Sequence, residues 1–195
     1  MKLVLASGNA GKLAELAGLL ADSGIQLVTQ SSLGIADAEE TGATFVENAI
    51  LKARHAAQQS GLAALADDSG LVVDALNGAP GLHSARFAGA HGDSAANNAK
   101  LLQSLDGVAA PQRSAHFHCT LVLLKHARDP APLIAEGRWH GHILLAPRGD
   151  HGFGYDPLFL PDGEQLSAAE MPAARKNAIS HRAQALIGLR ALLSL

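Results

Sequence analysis

Two adjacent aspartates set inside apolar sequence constrain this chain more than any other feature. Asp67 and Asp68 follow the apolar run Leu62 to Ala66 and precede, after Ser69-Gly70, a second run from Leu71 to Val73. Acids so placed fall where a buried strand would end or bend, and a carboxylate at the edge of a core must be hydrogen-bonded, paired or bound to a cation. The small Ser-Gly pair lets the backbone turn and approach a ligand closely. Asp, Ser and Gly are also ordinary turn residues, so the stretch taken alone reads as a turn. The phosphate loop, further acids and basic cluster found elsewhere in the chain shift it toward a metal-dependent site.

Leu3 to Ala6 predicts a buried strand, and Leu13, Leu16, Ala17 and Leu20 recur after it at helical spacing. Between them lies Ser7-Gly8-Asn9-Ala10-Gly11-Lys12. A strand, a glycine-containing loop and a helix start make an anion site, because the first helical N–H groups lack internal partners and the helix dipole favours negative charge there. A Walker A loop would need a glycine where Ala6 stands and Ser or Thr in place of Leu13. The alternative is a plain strand-to-helix turn with a solvated lysine.

Ile25 to Thr29 predicts a second strand, and Ser31 to Gly42 a loop carrying Asp37, Glu39 and Glu40. Thr44 and Glu47 have the form of a capping box, and Val46, Ala49, Ile50, Ala53 and Ala57 trace one helical face to a stop near Gly61. Asn48 and Lys52 share another face of that helix. Asn77 to Gly81 is a turn, Ser84 to Phe87 leads into a Gly-rich loop, and Ala95 to Leu105 reads as a helix. His116 to Leu124 and Leu133 to His142 read as strands joined near Asp129-Pro130. His116 with His118, and His140 with His142, would share strand faces, yet no acidic or cysteine ligand stands at a zinc spacing. In Gly149 to Pro157 an aromatic flanked by glycines, Phe153, suggests a ring exposed for stacking, or an ordinary packed one. Ser167 to Met171 and Ala178 to Leu193 read as helical, with Lys176, His181 and Arg182 as a basic cluster fit for an anionic or oxo-bearing ligand.

With 195 residues, 48% apolar and 17% charged, the chain is expected to form one globular domain, or two lobes on a shared core. A net charge of -3 offers no global attraction to nucleic acid or anionic membrane. Cys119 is the one cysteine, which excludes an intramolecular disulfide and suits a reducing compartment. No signal-peptide core and no bilayer-length apolar span is present. A cytoplasmic location is expected.

Five motifs occur in order: S-G-N-A-G-K at Ser7 to Lys12, F-V-E-N-A at Phe45 to Ala49, A-D-D-S-G at Ala66 to Gly70, F-G-Y-D-P at Phe153 to Pro157, and K-N-A-I-S-H-R at Lys176 to Arg182. End to end, the chain resembles the inosine/xanthosine triphosphate pyrophosphatases, which hydrolyse deaminated purine nucleoside triphosphates to the monophosphate and pyrophosphate. The resemblance implies an elongated, two-lobed α/β fold with a central mixed sheet flanked by helices and a cleft between the lobes. It also implies a homodimer and a magnesium (Mg2+) requirement. By it, Ser7, Gly8, Asn9, Ala10, Gly11 and Lys12 hold the triphosphate, with Asn9 and Lys12 the chief contacts and Lys52 a helper. Asp68 is the proton acceptor and a magnesium contact, Glu40 shares the metal and Ser69 touches substrate. Phe153, Gly154, Tyr155 and Asp156, with Lys176, His181 and Arg182, surround the nucleoside. Arg175 stands where many members of that family carry a glutamate. Breaking a phosphoanhydride needs a positioned water, a carboxylate to take its proton, and cations for the leaving group, which agrees with the acids and lysines found. The alternatives are a pyrophosphatase for other modified nucleotides and a non-catalytic nucleotide sensor. A sensor has little use for Asp67, Asp68 and Glu40 beside a triphosphate unless a metal offsets their repulsion.

Overall fold

Leu3, Val4, Leu5 and Ala6 are buried in β1 (Lys2–Ala6), the continuous apolar run that a strand covered on both faces requires. The computed structural model describes residues 2–21 and 24–193. After β1 come α1 (Ala10–Leu20), β2 (Gln26–Thr29), α2 (Phe45–Ser60), β3 (Ala63–Val73), α3 (Ser94–Ser104) and β4 (Ser114–Leu124). They are followed by β5 (Leu133–Ile143), β6 (Phe159–Pro161), α4 (Ala173–Ile179) and α5 (His181–Leu193). The strands form a 6-stranded sheet in the order β2-β1-β3-β4-β5-β6. β1 is parallel to β2 and to β3 while β6 is antiparallel to β5, so the sheet is mixed and the fold is α/β, as the sequence predicts.

The chain divides into two compact units, one of Met1–Asp68, Cys119–Gly137 and His181–Leu195, the other of Ser69–His118 and Arg138–Ser180. In the first, strand alternation decides what each helix covers. Leu3, Leu5 and Leu65 pack with Leu16 and Leu20 of α1 and with Ala185, Leu186 and Leu189 of α5. Val4, Ala6, Ala64 and Ala66 face the other way, onto Ala49, Ala53, Ala56 and Ala57 of α2. The capping box starts α2 as expected: Thr44 Oγ1 accepts from Glu47 N at 3.3 Å, and Glu47 Oε2 accepts from Ala43 N at 2.9 Å. The core of the second unit gathers Leu71, Leu101, Leu105, Leu158 and an aromatic group in which the Phe159 ring lies 4.7 Å from Phe117 and 5.3 Å from Trp139.

The structure departs from expectation at several points. The acid pair neither ends nor bends a strand, for β3 runs straight through it, with Asp67 1% and Asp68 6% exposed. Both carboxylates have cationic partners, so the backbone has no need to leave the sheet. Gly70 also lies in β3, and the group that requires it to be glycine belongs to this chain: a Cβ there would stand 2.3 Å from Gly81 O. The expected helix over Ser167 to Met171 is a single turn, in which Ser167 Oγ accepts from Glu170 N at 3.2 Å and Glu170 Oε2 accepts from Ser167 N at 2.8 Å. Pro172 stops it, because a residue before proline is driven from helical to extended backbone. The helix expected over Ala178 to Leu193 is broken at Ser180, whose backbone is extended, into α4 and α5. The short β6 carries too few residues to show a period. Among the described residues, no helix is long and apolar enough to cross a membrane.

Candidate active site

β1 has β2 on one side and β3 on the other, so the chain leaving β1 through α1 goes one way and returns through α2 to the opposite side. Such a switch point opens a crevice at the carboxyl end of the strand, where α/β sheets bind ligands. The register pairs Ala6 with Ala66, so β1 ends beside the residue before the acid pair. Ser7 to Lys12 therefore leaves the sheet next to Asp67 and Asp68. Asn9 caps α1, its side chain accepting from Lys12 N at 3.1 Å, and its own N–H donates to Ser7 Oγ at 3.2 Å. The loop is thus pinned by its own side chains, with a helix N-terminus at its end.

Consecutive strand residues face opposite sides, which gives the two aspartates different partners. Asp67 lies on the α1/α5 side with Leu65. Its Oδ1 is 2.8 Å from Lys12 Nζ and its Oδ2 accepts from Arg182 Nε at 2.9 Å and from Cys119 Sγ at 3.4 Å. Arg182 Nη1 also donates to Glu15 Oε2, at 2.7 Å. These two carboxylates outweigh the cost of burial and hold the guanidinium pKa above its ordinary value, whereas burial, with Asp67, pushes the Cys119 thiol up. His181 is buried at the start of α5.

Asp68 lies on the α2 side. Lys52 Nζ donates to its Oδ1 at 2.6 Å and to Glu40 Oε1 at 3.1 Å. Desolvation raises the Asp68 pKa above the usual aspartate value, and the opposing pull of Lys52 and Lys12 does not cancel it. Desolvation lowers the Lys52 pKa, but Asp68 and Glu40 together outweigh it and the net shift is upward. The two directions agree with one ammonium shared between two carboxylates. Asn48, one turn before Lys52, turns to the backbone instead of a ligand: its Oδ1 accepts from Gly42 N at 2.8 Å, tethering the loop that bears Glu40.

The second unit carries the glycine–aromatic loop and Lys176. Asp156, 3% exposed, organises it by accepting from Phe153 N at 2.8 Å and pairing with Lys176 Nζ at 2.6 Å. Gly152 sits at φ +75, and a Cβ there would collide with the Asp156 carboxylate, so glycine is needed on both counts. Phe153 is half-buried with Lys176 Nζ 5.2 Å from its ring centroid, a cation–π contact. Tyr155 is buried, donates its hydroxyl to Ser84 O at 2.9 Å, and has its pKa raised by burial. Arg175 pairs with Glu164, its Nε donating at 3.1 Å, so its charge is met on the surface. Ser69 lies in β3 directly after Asp68.

Sequence reasoning missed Glu15 and Asn98. Glu15 follows Lys12 by one helical turn, so the i, i+3 spacing on α1 was the available signal. Asn98 of α3 donates to Gly154 O at 2.9 Å, a link across 56 residues that no local pattern reveals. The histidines do come together, with the His116 ring 5.3 Å from His140 and 6.4 Å from His118. Among the described residues, however, no group of three or more His, Cys, Asp or Glu side chains is arranged to hold a metal ion.

Comparison with known proteins gives a consistent result. The model of the Ham1 family matches residues 3–192. A dITP/XTP pyrophosphatase of Xanthomonas campestris pv. campestris (strain 8004) is 61% identical over 188 residues, covering 96% of this chain and 94% of that protein. Among solved structures, a HAM1 protein from Coxiella burnetii superposes with a TM-score of 0.91 at 52% identity, covering 100% of this chain and 98% of the other. A nucleoside-triphosphatase described as a dITP/XTP pyrophosphatase, from Mycobacterium abscessus, gives a TM-score of 0.77 at 45% identity with 100% of both chains covered.

Proposed function

The chain belongs to the Ham1 family, and from that premise we propose that it hydrolyses deaminated purine nucleoside triphosphates (dITP, ITP and XTP) to the monophosphate and pyrophosphate. The observation that carries the reading is Asp68, a buried carboxylate of raised pKa, held by Lys52 on the strand beside an anion-binding helix start. A base poised closer to neutrality than a free aspartate takes a proton from water more effectively.

In this reading the helix start and loop of Ser7, Gly8, Asn9, Ala10, Gly11 and Lys12 hold the outer phosphates, with Lys52 beside them. Asp68 orients the attacking water and accepts its proton as the oxygen bonds to the α-phosphorus. The bond to the β-phosphate oxygen breaks, and Lys12 and Lys52 stabilise the charge on departing pyrophosphate. Ser69, Phe153, Gly154, Tyr155, Asp156, Lys176, His181 and Arg182 are assigned to the nucleoside, with the Phe153 ring available for stacking.

Magnesium belongs to the same proposal. Asp68 and Glu40 already converge on one cationic group, the Lys52 ammonium, and offer the hard oxygen donors that magnesium prefers. Two carboxylates suffice for an ion that draws its other ligands from phosphate and water. Asp68 and Glu40 would hold it, and it would supply charge neutralisation at the phosphates. A homodimer and a cytoplasmic location complete the reading.

The deciding experiment incubates the protein with ITP and magnesium and assays pyrophosphate and orthophosphate together. Pyrophosphate with inosine monophosphate is expected. Inosine diphosphate as the main product, or turnover of ATP equal to that of ITP, overturns it.

A further inference from the structure

Of the acids in the loop over 31–42, the proposed reaction uses Glu40 alone. Asp37 is exposed, yet its position is set from beneath. Gln30, which follows β2 directly and is 4% exposed, donates its Nε2 to Asp37 Oδ1. Gln30 is fixed in turn by backbone: its N–H donates to Leu5 O at 3.1 Å and its carbonyl accepts from Ile35 N at 3.0 Å. The other oxygen of Asp37 lies against Gly8 of the phosphate loop, where an added Cβ would stand 2.9 Å from Oδ2. Gly8 is therefore needed for the room it leaves to a carboxylate. That carboxylate keeps its charge uncancelled, for Lys12 is engaged with Asp67, Lys52 with Glu40 and Asp68, and among the described residues Asp37 forms no ion pair.

A buried amide thus holds a negative charge against a loop read as an anion site, where attraction alone would call for a neutral or basic residue. We propose that Asp37 is a specificity-determining residue of the phosphate site, an anchored charge on the Ser7 to Lys12 loop that admits the magnesium complex of a triphosphate in preference to the free polyanion. Coulomb repulsion grows with the charge of the ligand, and a bound magnesium ion lowers that charge. At 0.1 M salt such repulsion reaches about 10 Å, and Asp37 touches the loop itself. The inference rests on the reading that Ser7 to Lys12 receives the triphosphate.

Calorimetric titration with inorganic tripolyphosphate, once with a chelator and once with excess magnesium, measures the preference without turnover. Asp37→Asn removes the charge and keeps an oxygen for Gln30 to donate to. It should tighten binding of free tripolyphosphate by about fivefold or more and of the magnesium complex by about twofold or less. Asp37→Lys should go further in the same direction. The gain on the free polyanion should shrink in 1 M salt, where the screening length falls to about 3 Å, a response that a merely structural contact would not show. The proposal is overturned if Asp37→Asn binds both forms like the wild type, if the gain does not respond to salt, or if the magnesium complex binds more weakly, which would make Asp37 a metal ligand. Failure of the wild type to bind tripolyphosphate even with magnesium would instead sink the reading of the phosphate site.

Discussion

A one-residue step along β3 separates a carboxylate that holds the structure from one suited to chemistry. Asp67 is surrounded by Lys12, Arg182 and Cys119, while Asp68 has Lys52, which Glu40 also claims. Asp68→Asn should lower kcat by on the order of 100-fold or more, since the amide cannot accept the proton. The far-UV spectrum should stay that of the wild type, and steady-state kinetics with ITP would reject the assignment if activity remained within a few-fold. The acid limb follows from the raised pKa. Asp68 works as the carboxylate, so kcat/KM should fall as pH drops through a value above the ordinary 3.8. The sign for folding is opposite at this residue: its contribution to stability is fully present below the ordinary value and is lost as pH rises through the folded one. Activity should thus be lost on acidification while circular dichroism is unchanged. Simultaneous loss of both would contradict this account.

At the level of elements, α1 and β3 place the reactive groups. The Asn9 cap both closes the first turn of α1 and shapes the loop, so Asn9→Ala should cost about 1 kcal/mol of stability and raise KM for ITP. Urea unfolding and initial-rate kinetics measure the two effects, and a stability loss with unchanged KM would leave Asn9 as a cap alone. β3 depends on Gly70, whose missing side chain makes room for the backbone at Gly81. Gly70→Ala should destabilise the protein by about 1–3 kcal/mol, the cost of overpacking. An unchanged urea midpoint would show that the Gly81 segment moves aside readily. The loop after β5 illustrates how position and conformation are shared: Asp156 holds both Phe153 N and Lys176, and Asn98 holds Gly154.

At the scale of the whole molecule, Cys119 reports on the first unit. It is 0% exposed in a layer with Leu5, Leu121 and Leu186, and its thiol is pushed up by burial and Asp67. A thiol reagent should not label the folded protein, and labelling in urea should follow the loss of circular dichroism. Rapid labelling without denaturant would mean that the unit opens locally.

Helix α2 was legible in the sequence from its cap, apolar face and terminal glycine, and the strand–loop–helix at Ser7 to Lys12 from local pattern alone, because capping and period act over a few residues. The apolar run before Asp67 likewise announced a buried strand, but one that ended or bent at the acid pair, so the passage of β3 through Asp67 and Asp68, which points the two apart, was not legible. The partners they would meet were not legible. Lys12, Lys52 and Arg182 reach the acid pair across 55, 16 and 115 residues, and the basic C-terminal cluster that reads as one group is divided between a carboxylate in β3 and another in the Phe153–Asp156 loop. A sequence records charge and local period, whereas the pairing of buried charges depends on which strand faces the packed helices cover, and only the tertiary structure decides that.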